Sequence, residues 1–74
     1  MLQLSDKFVT ALVKQPEAGM GYQTADVLLK DGKLFKRVTI VGSQFVAAVH
    51  GYKDIPFAEP DISMIMVTNE KWNP

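Results

Sequence analysis

The first segment of the chain has the apolar spacing of an amphipathic helix. Its apolar side chains recur at the i, i+4 and i+5 positions of one helical face: Leu4, Phe8, Val9, Leu12 and Val13. Ser5 is a favourable N-cap residue, and Pro16 disfavours helical geometry in the residue before it. The pattern predicts a helix over residues 4–15. A strand is the competing interpretation, because aromatic and β-branched residues also favour strands.

After a connector at residues 16–21, apolar and polar side chains alternate as they do in strands. From Tyr22 to Lys30 the alternation points one set toward a core and the other toward water: Ala25, Val27 and Leu29 inward, Thr24 and Asp26 outward. Asp31-Gly32 follows directly and predicts a two-residue type I′ hairpin turn, whose central residues must tolerate positive φ.

The returning strand, residues 34–41, has three large apolar side chains: Phe35, Val38 and Ile40. Because their spacing is unequal, they share one face only if a bulge lies near Lys36-Arg37. Gly42-Ser43 predicts a type II′ turn with glycine first. A third strand is predicted over residues 44–50, with one side formed by Phe45, Ala47 and Val49.

The remaining residues predict a short helical turn, a last strand and a tail. Residues 58–62 carry a proline between two acidic residues, which suits one helical turn. The last strand is predicted over residues 63–68. Residues 69–74 form a polar tail that includes Trp72, the only tryptophan.

Alternation in the last strand predicts a methionine face. Met64 and Met66 share the side opposite Ile65 and Val67, and Leu28 of the first long strand lies on the same outer side. Flexible thioethers on an outward face suit an adaptable contact surface. Two arrangements would cover this face: the N-terminal helix packs over it, or a second copy of the chain does.

Together these elements predict a single α+β domain over residues 1–74. It has the helix at 4–15, a strongly bent antiparallel sheet of four or five strands over 22–68, and the tail at 69–74. Short bent strands with a helical turn before the last one favour a partly open barrel, because closure hides strand edges.

Two segments resemble a known family of small barrels. Residues 26–35, DVLLKDGKLF, are similar to the first hairpin of Sm-like and other SH3-like barrels, and residues 49–55, VHGYKDI, are similar to the second Sm motif. The resemblance implies an SH3-like barrel behind an N-terminal helix. It departs at Gly42-Ser43, where Sm proteins have an aspartate and an asparagine, so their RNA-binding loop does not carry over. Residues 19–23, GMGYQ, also resemble short bacterial proteins of unassigned function, which implies no activity.

Composition narrows the classes of function. Eight basic residues balance eight acidic ones, so no overall charge attracts nucleic acid or anionic lipid. The start of the chain lacks the pattern of a secretory signal, and no apolar run approaches the roughly 20 residues that span a bilayer. We expect a soluble, cytoplasmic protein. A domain of 74 residues without cysteine is marginally stable, which favours self-association.

No set of residues indicates catalysis. Nucleophilic hydrolysis needs a nucleophile, a base and an orienting group, whereas the chain has one histidine and no cysteine. We expect His50 at a strand end, and Glu59 and Asp61 as capping groups in the turn around Pro60. Gly19-Met20-Gly21 follows a helix and opens a strand, the reverse of a phosphate-binding loop. We therefore expect no enzyme, no metal site and no cofactor.

One uneven charge distribution lies around the first hairpin. Half of the cations gather there, offset only by Asp31: Lys30, Lys33, Lys36 and Arg37. Such a loop beside Phe35 would suit a phosphate backbone with base stacking. Lysines on edge strands also serve to block unwanted strand pairing. Binding of RNA or DNA is therefore the alternative function, and edge protection is the favoured interpretation.

Three aromatic residues are candidates for a peptide groove: Tyr22, Tyr52 and Trp72. Packing at the rim of the barrel is the favoured interpretation of these rings. From the sequence we expect a non-catalytic binding or assembly module that self-associates. Its candidate interaction residues are the outer side chains and the three rings: Leu28, Met64, Met66, Tyr22, Tyr52 and Trp72.

Overall fold

Helix α1 spans Asp6–Leu12 in the computed structural model, which describes residues 1–69. Ser5 is the N-cap as predicted, and its carbonyl oxygen accepts hydrogen bonds from the amides of Phe8 and Val9. The prediction that Val13 belongs to the buried face is wrong. The helix ends at Leu12 rather than at residue 15, and Val13 is 61% exposed. Phe8 and Leu12 are buried.

Five antiparallel strands form a curled sheet, a half-barrel, in the order β1-β4-β3-β2-β5. Their bounds are Leu2–Gln3 for β1, Tyr22–Leu29 for β2, Leu34–Val41 for β3, Phe45–Val49 for β4 and Ile62–Val67 for β5. A 3₁₀ helix at Glu59–Asp61 precedes β5, as predicted for residues 58–62. The predicted α+β class with a partly open barrel is confirmed, although β1 was not predicted. Among residues 1–69, no helix has both the length and the apolarity to cross a bilayer.

The bulge predicted near Lys36-Arg37 is confirmed. Ala25 of β2 pairs with Val38 of β3, and Val27 pairs with Phe35. Between these pairs, Lys36 and Arg37 of β3 face the single residue Asp26 of β2. Arg37 has a φ of 55°, the left-handed geometry of a bulge. The bulge keeps Val38 and Ile40 fully buried on the face where Phe35 also packs.

Both hairpin turns differ from the predicted types. The first is a three-residue loop, since Gly32 donates its amide proton to the Leu29 carbonyl and the Leu29 amide to Lys33. Asp31 therefore needs no positive φ, and only Gly32 has one, at 93°. In the second turn Gly42 and Ser43 both have a φ of 59°, which is type I′ geometry rather than II′.

The prediction that Phe45, Ala47 and Val49 share one side of the third strand is wrong. Val46 and Val49 of β4 are buried, whereas Phe45 and Ala47 are only half-buried. A register shift between Thr39 and Ile40 of β3 inserts an extra residue into β4 and changes which side chains share a face.

In β2 the inward prediction holds and one outward prediction fails. Ala25, Val27 and Leu29 are buried as predicted, but Thr24 is also fully buried. The segment after β5 explains this, because the amides of Thr68 and Asn69 both donate to the Thr24 carbonyl oxygen. Thr68 and Asn69 therefore lie against β2 beside Thr24, where the alternation pattern had predicted solvent.

Gln23 fastens the helix to the sheet. Its side chain is 1% exposed, and its Nε2 donates to the Leu12 carbonyl oxygen at 2.9 Å and to the Gln15 oxygen at 3.2 Å. These carbonyls belong to the last turn of α1 and the residues after it, which have no partner inside the helix. Asn69 adds a hydrogen bond from its Nδ2 to the Pro16 oxygen at 2.8 Å. The C-terminal end of α1 is thereby held on the inner face of the sheet.

Replacing Gln23 by leucine tests this attachment. We expect Gln23→Leu to lower the free energy of unfolding by about 1–3 kcal/mol, because the hydrogen bonds from the buried Gln23 amide to the Leu12 and Gln15 carbonyl oxygens are lost. Gln44→Leu, at an exposed glutamine, is the control and is expected to change it by less than about 0.5 kcal/mol. Urea unfolding followed by circular dichroism measures both. Equal stability of the two variants would contradict the role of Gln23.

Candidate interaction surfaces

An apolar row crosses the outer face of three neighbouring strands. Leu34 of β3 pairs with Leu28 of β2, which pairs in turn with Met64 of β5. Met66 lies two residues further along β5, on the same side as Met64. We call these four residues, Leu28, Leu34, Met64 and Met66, the outer apolar patch. Leu34 was not predicted as part of it.

Three of the four patch side chains are exposed, and the fourth, Leu28, is half-buried. Leu34 is 46% exposed, Met64 49% and Met66 37%. Opposite partners in antiparallel strands have Cβ atoms about 4.5–5.5 Å apart, so the row from Leu34 to Met64 is continuous. The patch is therefore a connected apolar surface rather than a set of scattered side chains.

Helix α1 packs on the other face of the sheet. Phe8 and Leu12 belong to the same buried cluster as Val27, and Ile65 and Val67 pack against this cluster from β5. Of the two arrangements considered for the methionine face, the structure excludes cover by the helix. Within residues 1–69, no helix covers the outer apolar patch.

The far side of β5 is an open strand edge. Within residues 1–69, β2 is the only strand that pairs with β5. The Thr68 amide donates to Thr24 of β2, and successive residues of a strand direct their backbone groups alternately to the two sides. The backbone N–H and C=O groups of Met64 and Met66 therefore form hydrogen bonds with β2. Those of Ile65 and Val67 point to the open edge.

Ser63 is the extra residue of a bulge in β5, because Leu28 opposes Met64 and Leu29 opposes Ile62, and the part of this edge beyond Ser63 lacks the usual protection against pairing. Ile62–Val67 contains no charged residue and no proline, the two residue classes that blunt exposed edges in monomeric proteins. The opposite edge of the sheet is different, because β1 is only two residues long. The long and apolar edge is thus the one at β5.

A groove lies between α1 and this open edge. Its volume is about 240 Å³, and its walls are formed by Phe8, Ala11, Leu12, Gln15, Ile65, Met66 and Val67. All of these residues except Gln15 are apolar, and the groove lies beside the β5 backbone groups that point to the edge. A further strand that paired with β5 at this edge would direct side chains toward the groove.

The first hairpin carries the predicted cations together with acidic residues. The four cations, Lys30, Lys33, Lys36 and Arg37, are exposed. A second cavity of about 330 Å³ is lined by Lys30 and Lys33 but also by Asp31 and Asp61. The Lys33 Nζ lies 4.0 Å from an Asp31 oxygen. The surface there is mixed in charge.

Phe35 and Tyr52 form an aromatic contact beside the hairpin. The Phe35 ring is half-buried and packs on Tyr52, with ring centroids 5.4 Å apart, and on Phe57 at 5.3 Å. Tyr52 is 52% exposed. The ring available for stacking is thus Tyr52 rather than Phe35.

The structure does not bring the predicted peptide-groove rings together. Tyr22 pairs with Val41, whereas Phe35, which contacts Tyr52, lies six residues earlier in β3. At about 3.3 Å per residue, the two tyrosines lie toward opposite ends of that strand. Trp72 lies outside the described residues.

The polar residues considered for catalysis occupy structural positions. The His50 amide donates to the Arg37 carbonyl oxygen at 3.2 Å in the turn after β4. Asp61 accepts the Ala58 amide proton at 3.2 Å and so caps the 3₁₀ helix, as predicted. In residues 1–69 no three His, Cys, Asp or Glu side chains are grouped to hold a metal ion.

Comparison of the chain with protein-family models, with curated proteins and with solved structures finds no significant match.

Hydrogen exchange tests the orientation of β5. In dilute protein we expect the amides of Ile65 and Val67 to exchange at least about tenfold faster than those of Met64 and Met66, after correction for intrinsic rates. Tenfold corresponds to roughly 1.4 kcal/mol, the scale of one net hydrogen bond. Amide-resolved NMR measures the four rates. Equal rates would contradict the open edge, and slower exchange of the Ile65 and Val67 amides would show that the orientation of β5 is reversed.

Proposed function

We propose that the chain is a non-catalytic assembly module that associates with a second copy of itself. One observation carries the proposal: Leu34, Met64 and Met66 of the outer apolar patch are exposed, while helix α1 packs on the inner face of the sheet. Burying a Met or Leu side chain fully is worth roughly 1.5–3 kcal/mol relative to exposure. Association thus supplies stability that a small domain without disulfides lacks.

Residue chemistry supports the non-catalytic part of the proposal. His50 is the one histidine of the chain, and it lies in an exposed turn. The acidic residues nearest to a cavity, Asp31 and Asp61, lie beside lysine in the first hairpin and in the cap of the 3₁₀ helix. These placements serve turns and charge balance.

A methionine-to-lysine pair of variants tests self-association. We expect the mass of the wild-type protein to rise with concentration, and Met64→Lys to weaken association at least about tenfold, or roughly 1.4 kcal/mol. Met20→Lys is the control, because Met20 is fully exposed outside the patch and the change in charge is identical. Sedimentation equilibrium measures all three.

Two results would contradict self-association through the patch. One is a monomeric mass of the wild-type protein at millimolar concentration. The other is an equal loss of association in Met64→Lys and Met20→Lys, since net charge rather than the patch would then be responsible.

A second candidate function is binding of single-stranded RNA or DNA in the manner of a small Sm-like barrel. The observation that favours it is the exposed Tyr52 ring, held by Phe35 beside the cationic hairpin. Aromatic rings next to cations stack bases while the cations contact phosphates. Asp31 and Asp61 weaken the local positive potential, which ranks this function second.

Titration of a labelled single-stranded RNA at low and moderate salt tests the second function. If the hairpin binds RNA, Tyr52→Ala and Lys36→Ala each reduce affinity several-fold, and affinity falls as salt rises. Lys14→Ala removes the same charge from the exposed end of the helix and serves as control. Absence of binding, or an equal loss with Lys14→Ala, removes this candidate.

A further inference from the structure

We propose that β5 pairs with β5 of a second copy, antiparallel and around a two-fold axis at Ile65. The two five-stranded sheets then join into one sheet of ten strands (five from each copy). This inference rests on the proposed self-association and names the surface and register through which it occurs.

The backbone of β5 provides the groups that such pairing requires. The N–H and C=O groups of Ile65 and Val67 point away from β2 to the open edge. In an antiparallel ladder two opposed residues exchange both of their hydrogen bonds, so residues that point to the edge must oppose one another. A two-fold axis at Ile65 meets this condition, since Ile65 then opposes itself.

The sequence around Ile65 is nearly symmetric, because the same residue type precedes and follows it. The segment Ser63-Met64-Ile65-Met66-Val67 has methionine on each side of Ile65. Around a two-fold axis at Ile65, Met64 of one copy opposes Met66 of the other on the outer face. The outer apolar patches of the two copies then form one surface, in which thioethers contact thioethers.

Neighbouring two-fold registers either give shorter pairing or leave Val67 without a partner in the second β5. An axis at Met66 places Met64 opposite Thr68, so only residues 65–67 pair within the two strands. An axis at Met64 places Val67 opposite Asp61, which lies in the 3₁₀ helix. The axes at Met64 and Ile65 each pair five residues of β5, but of these two only the axis at Ile65, which pairs residues 63–67, keeps both Ile65 and Val67 opposite a residue of the second β5.

The uncharged sequence of β5 and the groove beside it are both compatible with pairing to a second copy. Ile62–Val67 carries no charge, so antiparallel pairing brings no like charges together along the seam. On the inner face the second copy's Ile65 enters the space beside the groove lined by Phe8 and Leu12. A head-to-tail ring is disfavoured, because β5 would meet the two-residue β1.

Two single-cysteine variants test the register. The chain itself has no cysteine, so no other thiol can form a disulfide. In the proposed pair, Met64 and Met66 of different copies form a non-hydrogen-bonded pair with Cα atoms about 4.5 Å apart, which a disulfide spans. We expect mixed Met64→Cys and Met66→Cys proteins to form a disulfide-linked dimer under mild oxidation. Each variant alone is expected to cross-link at least about tenfold more slowly, because identical residues lie on the diagonal at roughly 7–8 Å.

The possible results separate the register from self-association. Preferential cross-linking of Met64→Cys or Met66→Cys with itself would overturn the axis at Ile65. A mixture of Met64→Cys with Met20→Cys is the control for random collision, and equal cross-linking there would also overturn it. A monomeric wild-type protein would overturn the proposed function itself.

Hydrogen exchange of the wild-type protein gives a second test without substitution. If β5 pairs with β5, the Ile65 and Val67 amides gain at least about tenfold protection as concentration moves the protein from monomer to dimer. A dimer in which these two amides stay unprotected would overturn edge pairing and leave self-association through the outer apolar patch standing.

Discussion

The side-chain amide of Gln23 holds the end of the helix against the inner face of the sheet. A buried amide must satisfy its polar atoms, and Nε2 does so on carbonyl groups of the segment that ends α1. Its Oε1 lies 3.5 Å from the Ser43 hydroxyl, which links the same side chain to the second hairpin. Gln23 of β2 thus connects the end of the helix with the second hairpin turn. With the helix held there, Phe8 and Leu12 can reach only the inner core.

A single short helix cannot cover both faces of a sheet, and the structure shows what is left. The outer face retains Leu34 and Met64 at nearly half of their full exposure, and β5 retains an open edge. Both features meet on the same strand, because the outward methionines alternate with the residues whose backbone points to the edge. An apolar face and an unpaired edge on one strand are ordinarily hazards of aggregation. A partner that closes both at once removes the two hazards together.

Much of the fold followed from local pattern, and the failures have physical causes. Alternation in β2 identified its inner residues, and the uneven spacing of Phe35 and Val38 identified the bulge. In β4 the signal was weak, because two adjacent alanines contribute little to either face and one of them, Ala47, is the extra residue at a register shift. Thr24 was misplaced since its cover comes from Thr68, which is 44 residues away. Such contacts leave no trace in a local window.

The interaction surface shows the same limit more sharply. Met64, Met66 and Leu28 were recognised as outward residues because a period of two is a local property. Leu34 was missed, since its place beside Leu28 depends on the three-residue loop that replaced the expected two-residue turn. The near-symmetry of sequence around Ile65 was visible from the start, yet it has no meaning in a strand paired on both sides. It acquires meaning only when strand order shows that β5 lies at the edge, because only an edge strand can meet a copy of itself.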